Sequence, residues 1–300
     1  MATESAPLGQ APNSSLDTLV RRERGRLFGL LFPGLFWLIV FFALPLVVIL
    51  LYSFLTPGPT GNVIWKFTLD NYITLFTKDL YVNAYVRSLW IGLVTTVVCL
   101  LIAYPLALYI VQRSPRWRNL LLFLVLIPFW TNFLVRTYAW MIILANNGVI
   151  NSLLQAVGLP RQTLLNTTGA VLVGLIYGEL PFMVLPIYAS IDRFDFTLLE
   201  AASDLGASRA RAFLRVMLPL TMPGVAAGSV LVFIPTVGQF VVSDLLGGAK
   251  VDMLGNLLQR LFTRSNPPNW PLGSAMALVF MLVLTVAIIF YFRTTTEEDR

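Results

Sequence analysis

The sequence predicts an all-α integral membrane protein with six transmembrane helices, and three observations predict it. Apolar residues make up 57% of the 300-residue chain and charged residues only 12%, with a mean hydropathy of +0.77; soluble domains do not have this composition. Six apolar runs, at about 27–54, 88–111, 119–144, 169–191, 223–243 and 271–292, each reach the roughly 20 residues that cross the hydrocarbon. The arginines, finally, fall unevenly between those runs.

Composition also removes whole classes of function. There is no histidine, and Cys99 is the only cysteine. An intrachain disulfide, a thiol-rich metal site and histidine-based acid–base chemistry are therefore excluded. An intramembrane protease or lipid transferase would need a metal set, an HExxH helix or paired aspartates, and none is present. No GxxxxGK[ST] loop is present either, so this chain does not supply an ATPase site of that type. The net charge of +6 reflects where arginines sit relative to the membrane and is no sign of nucleic-acid binding. No catalytic and no metal residue is assigned.

Residues 1–26 form a polar tail rich in Ser, Ala, Pro and Asn, read as disordered, ending in Arg21, Arg22, Arg24 and Arg26. The run that follows is too long for the apolar core of a signal peptide and reads as an uncleaved first span. Six spans put both ends on one side. That side gathers the tail arginines, Arg113, Arg116 and Arg118, then Arg193, Arg209, Arg211 and Arg215 of segment 192–222, and Arg293 and Arg300 of the tail 293–300. The opposite segments, 55–86, 145–168 and 244–270, hold Lys66, Lys78, Lys250, Arg161, Arg260 and Arg264, but they are longer, and long loops weigh least. The positive-inside rule then places both termini in the cytoplasm.

The outer segments carry turn signals and aromatics, among them Trp65, Phe67, Tyr72 and Phe76, and Asn146-Asn147-Gly148 ahead of a short apolar helix at 149–157. A soluble partner and the membrane interface are both open as what these aromatics meet. Prolines recur inside the spans, at 33, 45, 105, 128, 181, 186 and 235. They are expected to kink helices around a path.

Segment 192–222 is a polar, arginine-bearing island of about thirty residues between two strongly apolar runs. Thr197-x-x-Glu200 fits a capping box, alanines follow, and Gly206 turns the chain. Ser208 caps a second helix whose apolar positions are Ala210, Phe213, Leu214, Met217 and Leu218, and Pro219 is expected to end it. This helix-turn-helix resembles the "EAA" loop of binding-protein-dependent ABC importer permeases: Glu200-Ala201-Ala202, Gly206 four residues on, nine further residues, then Val216-x-Leu218-Pro219. Only Val216 departs from the family pattern, which has isoleucine there. The resemblance implies a type I importer permease fold. It also implies that Glu200, Ala201, Ala202, Asp204, Gly206, Arg209, Leu218 and Pro219 dock on a partner ATPase, which itself binds ATP and Mg.

Ionisable residues inside the hydrocarbon are costly and point to function. Arg136 lies eight residues before the outer end of the third run and Glu179 ten residues inside that of the fourth. At 1.5 Å per residue both sit about 12–15 Å deep. Two readings stay open: an ion pair between Arg136 and Glu179, or a Glu179 that faces a path and attracts a cationic solute. Asp244, at the expected outer end of the fifth span, is a second acid, and Trp130, Asn132, Tyr138 and Trp140 offer ring faces and an amide to an ammonium group.

Further stretches sharpen the resemblance to spermidine/putrescine importer permeases. They are Ile127-Pro128-Phe129-Trp130-Thr131-Asn132, Leu180-Pro181-Phe182-Met183-Val184-Leu185-Pro186, Leu218-Pro219-Leu220-Thr221-Met222-Pro223-Gly224 and Val242-Ser243-Asp244-Leu245. The likeness runs over about residues 30–293. It implies alternating-access uptake of a polyamine across a bacterial inner membrane. The implied partners are two ATPase subunits, a second homologous permease and an extracytoplasmic polyamine-binding protein. Related permeases carry iron, thiamine or phosphonates, so a sister-lineage solute is the alternative. A receptor-like protein without transport would leave the loop spacing unexplained.

Overall fold

The computed structural model describes residues 31–297, side chains of Ala249 and of 290–297 excepted. The expected tail 1–26, the first residues of the first span and the end of the C-terminal tail lie outside these. The described residues are almost all helical, and six helical segments are long and apolar enough to cross a membrane. They fall into two units divided between Tyr52 and Ser53.

The described part of the first unit, residues 31–52, belongs to the helix α1, Leu31–Ser53, with a wide π-helical turn at Ile39–Ala43 in which the Leu44 N–H reaches back to the Ile39 carbonyl. Pro45 follows directly. A wide turn just before a proline removes the clash of its ring with the preceding turn, so the helix continues.

The second unit begins with a short hairpin, β1 (Leu55–Pro57) against β2 (Val63–Phe67), then α2 (Asp70–Thr77). Buried Asn71 fastens them, its Nδ2 donating to the Ser53 and Leu55 carbonyls, both at 2.9 Å. The second span is α3, Asp79–Val111, and it starts nine residues before the run expected at 88, because its first turns pack on α2 and later helices instead of lipid.

The run expected as one span at 119–144 is two helices, α4 (Pro115–Trp130) and α5 (Phe133–Leu144). Thr131 and Asn132 are extended between them, and the Asn132 side chain caps α5 by accepting from the Leu134 and Val135 amides. The turn at 146–148 and the helix α6 (Val149–Ala156) are as expected. Then come α7 (Thr168–Asp192), α8 (Thr197–Asp204) and α9 (Arg209–Gly238). The chain continues through a π-helical turn at Ser243–Gly247, α10 (Leu254–Gln259) and α11 (Trp270–Glu297).

Helices α3, α7 and α9 form the central core, with Cys99, Ala103, Ala107, Ile110, Met183, Ile187, Ile191 and Val232 buried between them. Close approach is built into the sequence. A Cβ on Gly224 would overlap the Ser190 Cβ, and one on Gly228 would lie 2.8 Å from the Met183 sulfur. Gly224-x-x-x-Gly228 thus lets two spans meet through van der Waals contact, which is what holds helices together where lipid removes the hydrophobic drive. Buried Tyr104 and Thr221 share a 2.8 Å hydrogen bond across the same core. Arg118 ties the core at one end, pairing with Asp192 at 2.6 Å and donating to the Val111 carbonyl at 2.7 Å.

Candidate functional site

The polar island folds as a helix-turn-helix, with two corrections. Thr197 does not cap α8. Instead Asp195 accepts from the Thr197 amide at 3.0 Å and from its hydroxyl at 2.8 Å, because the aspartate two residues upstream reaches the free first-turn groups. The hydroxyl first, and then the amide, hold the Asp195 carboxyl below the ordinary carboxylate range. Such a group stabilises the cap above its unfolded pKa of about 3.9 and loses that contribution as pH falls through the lower folded value. In hydrogen–deuterium exchange, Asp195→Ala is expected to speed exchange at the start of α8 at neutral pH. The wild type should do so only in acid.

Gly206 ends α8 as expected. Its φ is +83°, the Ala207 N–H reaches the Ala202 carbonyl at 3.0 Å and the Gly206 N–H that of Ser203 at 2.9 Å; this is the paired-bond helix end that glycine permits without a Cβ penalty. Ser208 caps the next helix. The second correction is Pro219, which ends nothing. A π-helical turn at Phe213–Met217, with the Leu218 N–H on the Phe213 carbonyl, carries the loop helix straight into the fifth span. The same device stands before Pro45.

One side of this loop is anchored. Phe194 and Met217 are buried in the central core, with Phe196, Leu199 and Phe213 packed against it, and Ala212 is buried as well. The other side is open: Glu200, Ala201, Asp204, Gly206, Arg209 and Pro219 are exposed, Ala202 and Leu218 partly so. Leu205, at the turn, is 90% exposed. The open side therefore presents small, acidic, basic and apolar groups together.

Deeper in the fold, α4, α5 and α7 and the segment just after α9 border a cavity of about 230 Å³, lined by Phe129, Phe133, Arg136, Glu179, Phe182 and Gln239, among others. Arg136 and Glu179 come to one place, as their depth implied. They form no ion pair within 4.0 Å; the pairs among the described residues are Arg118–Asp192, Arg260–Asp252 and Arg264–Asp244. Arg136 instead donates to the Pro128 carbonyl at 2.8 Å, a group left free where α4 ends. The Glu179 side chain is buried, with its Oε2 unpartnered.

The aromatic cluster expected in the third span is dispersed by the break. Trp130 is 75% exposed, resting edge-on against Phe123, and Asn132 is committed to its cap. Tyr138 is exposed, and Trp140 lines a pocket with Arg136, packed on Tyr177. Phe129, Phe133, Phe182 and Gln239 were not singled out from sequence. Phe182 stands three residues beyond Glu179, on the same helix face, and was legible.

Asp244 does not cap the fifth span, which stops at Gly238. It lies in the π-helical turn beyond a break at Gln239–Phe240, paired with Arg264 at 3.1 Å. Buried Asn256 bridges the break. Its Nδ2 donates to Asp244 at 2.7 Å and to the Phe240 carbonyl at 3.1 Å, and its Oδ1 accepts from the Met253 N–H at 2.9 Å.

A family model described as binding-protein-dependent transport system inner membrane component matches residues 99–294. The chain is 44% identical over 266 residues to the spermidine/putrescine transport system permease protein PotB of Haemophilus influenzae, covering 88% of this chain and 92% of that one. It is 42% identical over 261 residues to PotB of Escherichia coli, covering 86% and 94%. With the spermidine/putrescine permease PotC of Escherichia coli, identity is 36% over 108 residues, 36% of this chain and 41% of that one. A chain of a bacterial alginate ABC transporter, solved with an alginate pentasaccharide-bound periplasmic protein, matches with a TM-score of 0.75 at 20% identity, covering 90% of this chain and 93% of that one; this shows a shared fold. The chain therefore belongs to the family of binding-protein-dependent transport system inner membrane components.

Proposed function

We propose that this chain is one permease subunit of an ATP-driven importer that takes up polyamines, spermidine or putrescine, across a bacterial inner membrane. The observation that carries it is the 44% identity spread over 92% of a spermidine/putrescine permease. Both termini lie in the cytoplasm, where the arginine-rich segments are best placed. The exposed α8 knob docks in a cleft of an ATPase subunit. Two such subunits bind ATP and Mg and supply the hydrolysis. A second, unlike permease completes the path, and similarity to PotC as well as PotB fits a pair of related chains. An extracytoplasmic binding protein delivers the solute, which crosses by alternating access.

The test is ATP-driven uptake of labelled spermidine into proteoliposomes holding this chain and its co-encoded partners. Competition by unlabelled spermidine and putrescine, but not by thiamine or ferric iron, is the expected result. ATP hydrolysis stimulated without polyamine uptake would assign the chain to a sister lineage.

A further inference from the structure

The cavity at Glu179 contains a buried acid, 9% exposed, with one carboxylate oxygen, Oε2, left without a hydrogen-bond partner. A desolvated carboxylate without a partner is expensive, and a ligand that brings a positive N–H donor removes that cost. The neighbouring residues fit such a donor. Phe129, Phe133 and Phe182 line the same cavity, Phe129 and Phe182 edge to face at 4.6 Å, and ring faces attract ammonium groups while enclosing methylenes.

Size narrows the ligand. About 230 Å³ is below the roughly 300–1,000 Å³ that encloses a drug-sized molecule, so the end of a slender chain enters and a bulky solute does not. Gly178 lines the same cavity, and the place a Cβ would take there is open, with nothing within 4 Å. Arg136 sets the strength of the hold. Its guanidinium lines the cavity but is tied to the Pro128 carbonyl, so it makes no ion pair with Glu179 yet repels a bound cation. A transit site needs binding strong enough to admit the solute and weak enough to release it.

We infer that this cavity receives one terminal ammonium group of a linear polycation, which donates to Glu179 and lays its methylenes among the three phenylalanine rings. The ligand rests on the polyamine reading above; the site rests on the geometry. The experiment compares proteoliposomes of the whole transporter carrying wild type, Glu179→Gln, Glu179→Asp or Gly178→Val, each first checked for assembly by co-purification of the ATPase. Glu179→Gln is expected to lower spermidine moved per ATP hydrolysed about tenfold. The apparent KM, set by delivery from the binding protein, stays put. Glu179→Asp keeps most of the coupling, and Gly178→Val reproduces the loss by filling the space with the carboxylate intact. Wild-type coupling in both Glu179→Gln and Gly178→Val overturns the site. Should Glu179→Gln fail to assemble, Gly178→Val decides alone, since it removes no polar group. A wild type that moves no polyamine refutes the transport reading, and the site's ligand with it; loss confined to the variants supports both.

Discussion

Gly206→Val is expected to cripple ATP-driven transport while the protein stays in the membrane at wild-type levels. At φ +83° a β-branched residue is an outlier, and holding it there costs on the order of 1–3 kcal/mol. The strain does not reach the core. Space around Gly206 is open, with no other group within 4 Å of the place a Cβ would take, so the local response is to unwind the bonds that Ala207 and Gly206 make to Ala202 and Ser203. Insertion and the α3–α7–α9 core are untouched, whereas the angle between α8 and α9 is lost. Uptake should fall at least tenfold, read beside the amount of protein in the membrane. Gly206→Asn, which tolerates the left-handed region, should retain most activity. Normal uptake by a stably inserted Gly206→Val protein would sink the assignment of this loop as the docking element.

Asn256→Leu is expected to have the largest effect on stability. Asn256 is 1% exposed, and its amide serves the Phe240 carbonyl, the Asp244 carboxylate and the Met253 N–H together. Leucine is of similar size and serves none. Each buried group left unsatisfied costs about 1–3 kcal/mol, so the loss is about 3 kcal/mol or more. At roughly 2–4 °C per kcal/mol for a chain of this size class, the thermal midpoint in nanodiscs should fall by about 6–12 °C. A change within about 1–2 °C would mean that water or a rearranged loop replaces the amide, and that the segment beyond Gly238 is not held through this residue.

Much of this architecture was legible in the sequence, for definite physical reasons. A span is an uninterrupted apolar run because lipid offers no partner to polar groups, so α7 was bounded almost to the residue. Gly206 was legible because one residue type alone takes a positive φ freely. The break between α4 and α5 was not. Hydropathy is insensitive to whether the backbone bonds of Thr131 and Asn132 are made, and both residues are small enough to pass inside an apolar run. That unseen break also decides the Arg136–Glu179 question. Depth alone placed the two together, but the carbonyl freed at Pro128 takes the guanidinium, and no spacing rule contains that competitor. The early start of α3 went unseen because Arg87 interrupts the apolar pattern, although the helix runs through it to Asp79. Asp195 and Thr197 are both good caps, and only the three-dimensional path of the chain chose between them.

The π-helical turn at Phe213–Met217 has a mechanical consequence. Because it carries the helix past Pro219, Arg209–Gly238 is one continuous helical segment of 30 residues, about 45 Å long. Gly206 turns the chain beside it, and on the docking reading proposed above the first turn after Ser208 is the end that a partner would push. A tilt of about 10° about that end sweeps the far tip through about 8 Å at this length, enough to move the Gln239 side of the Glu179 cavity by more than a hydrogen bond's reach. On the transport reading proposed above, the fifth span is a lever whose short arm lies in the loop, and helical continuity past Pro219 joins the two ends.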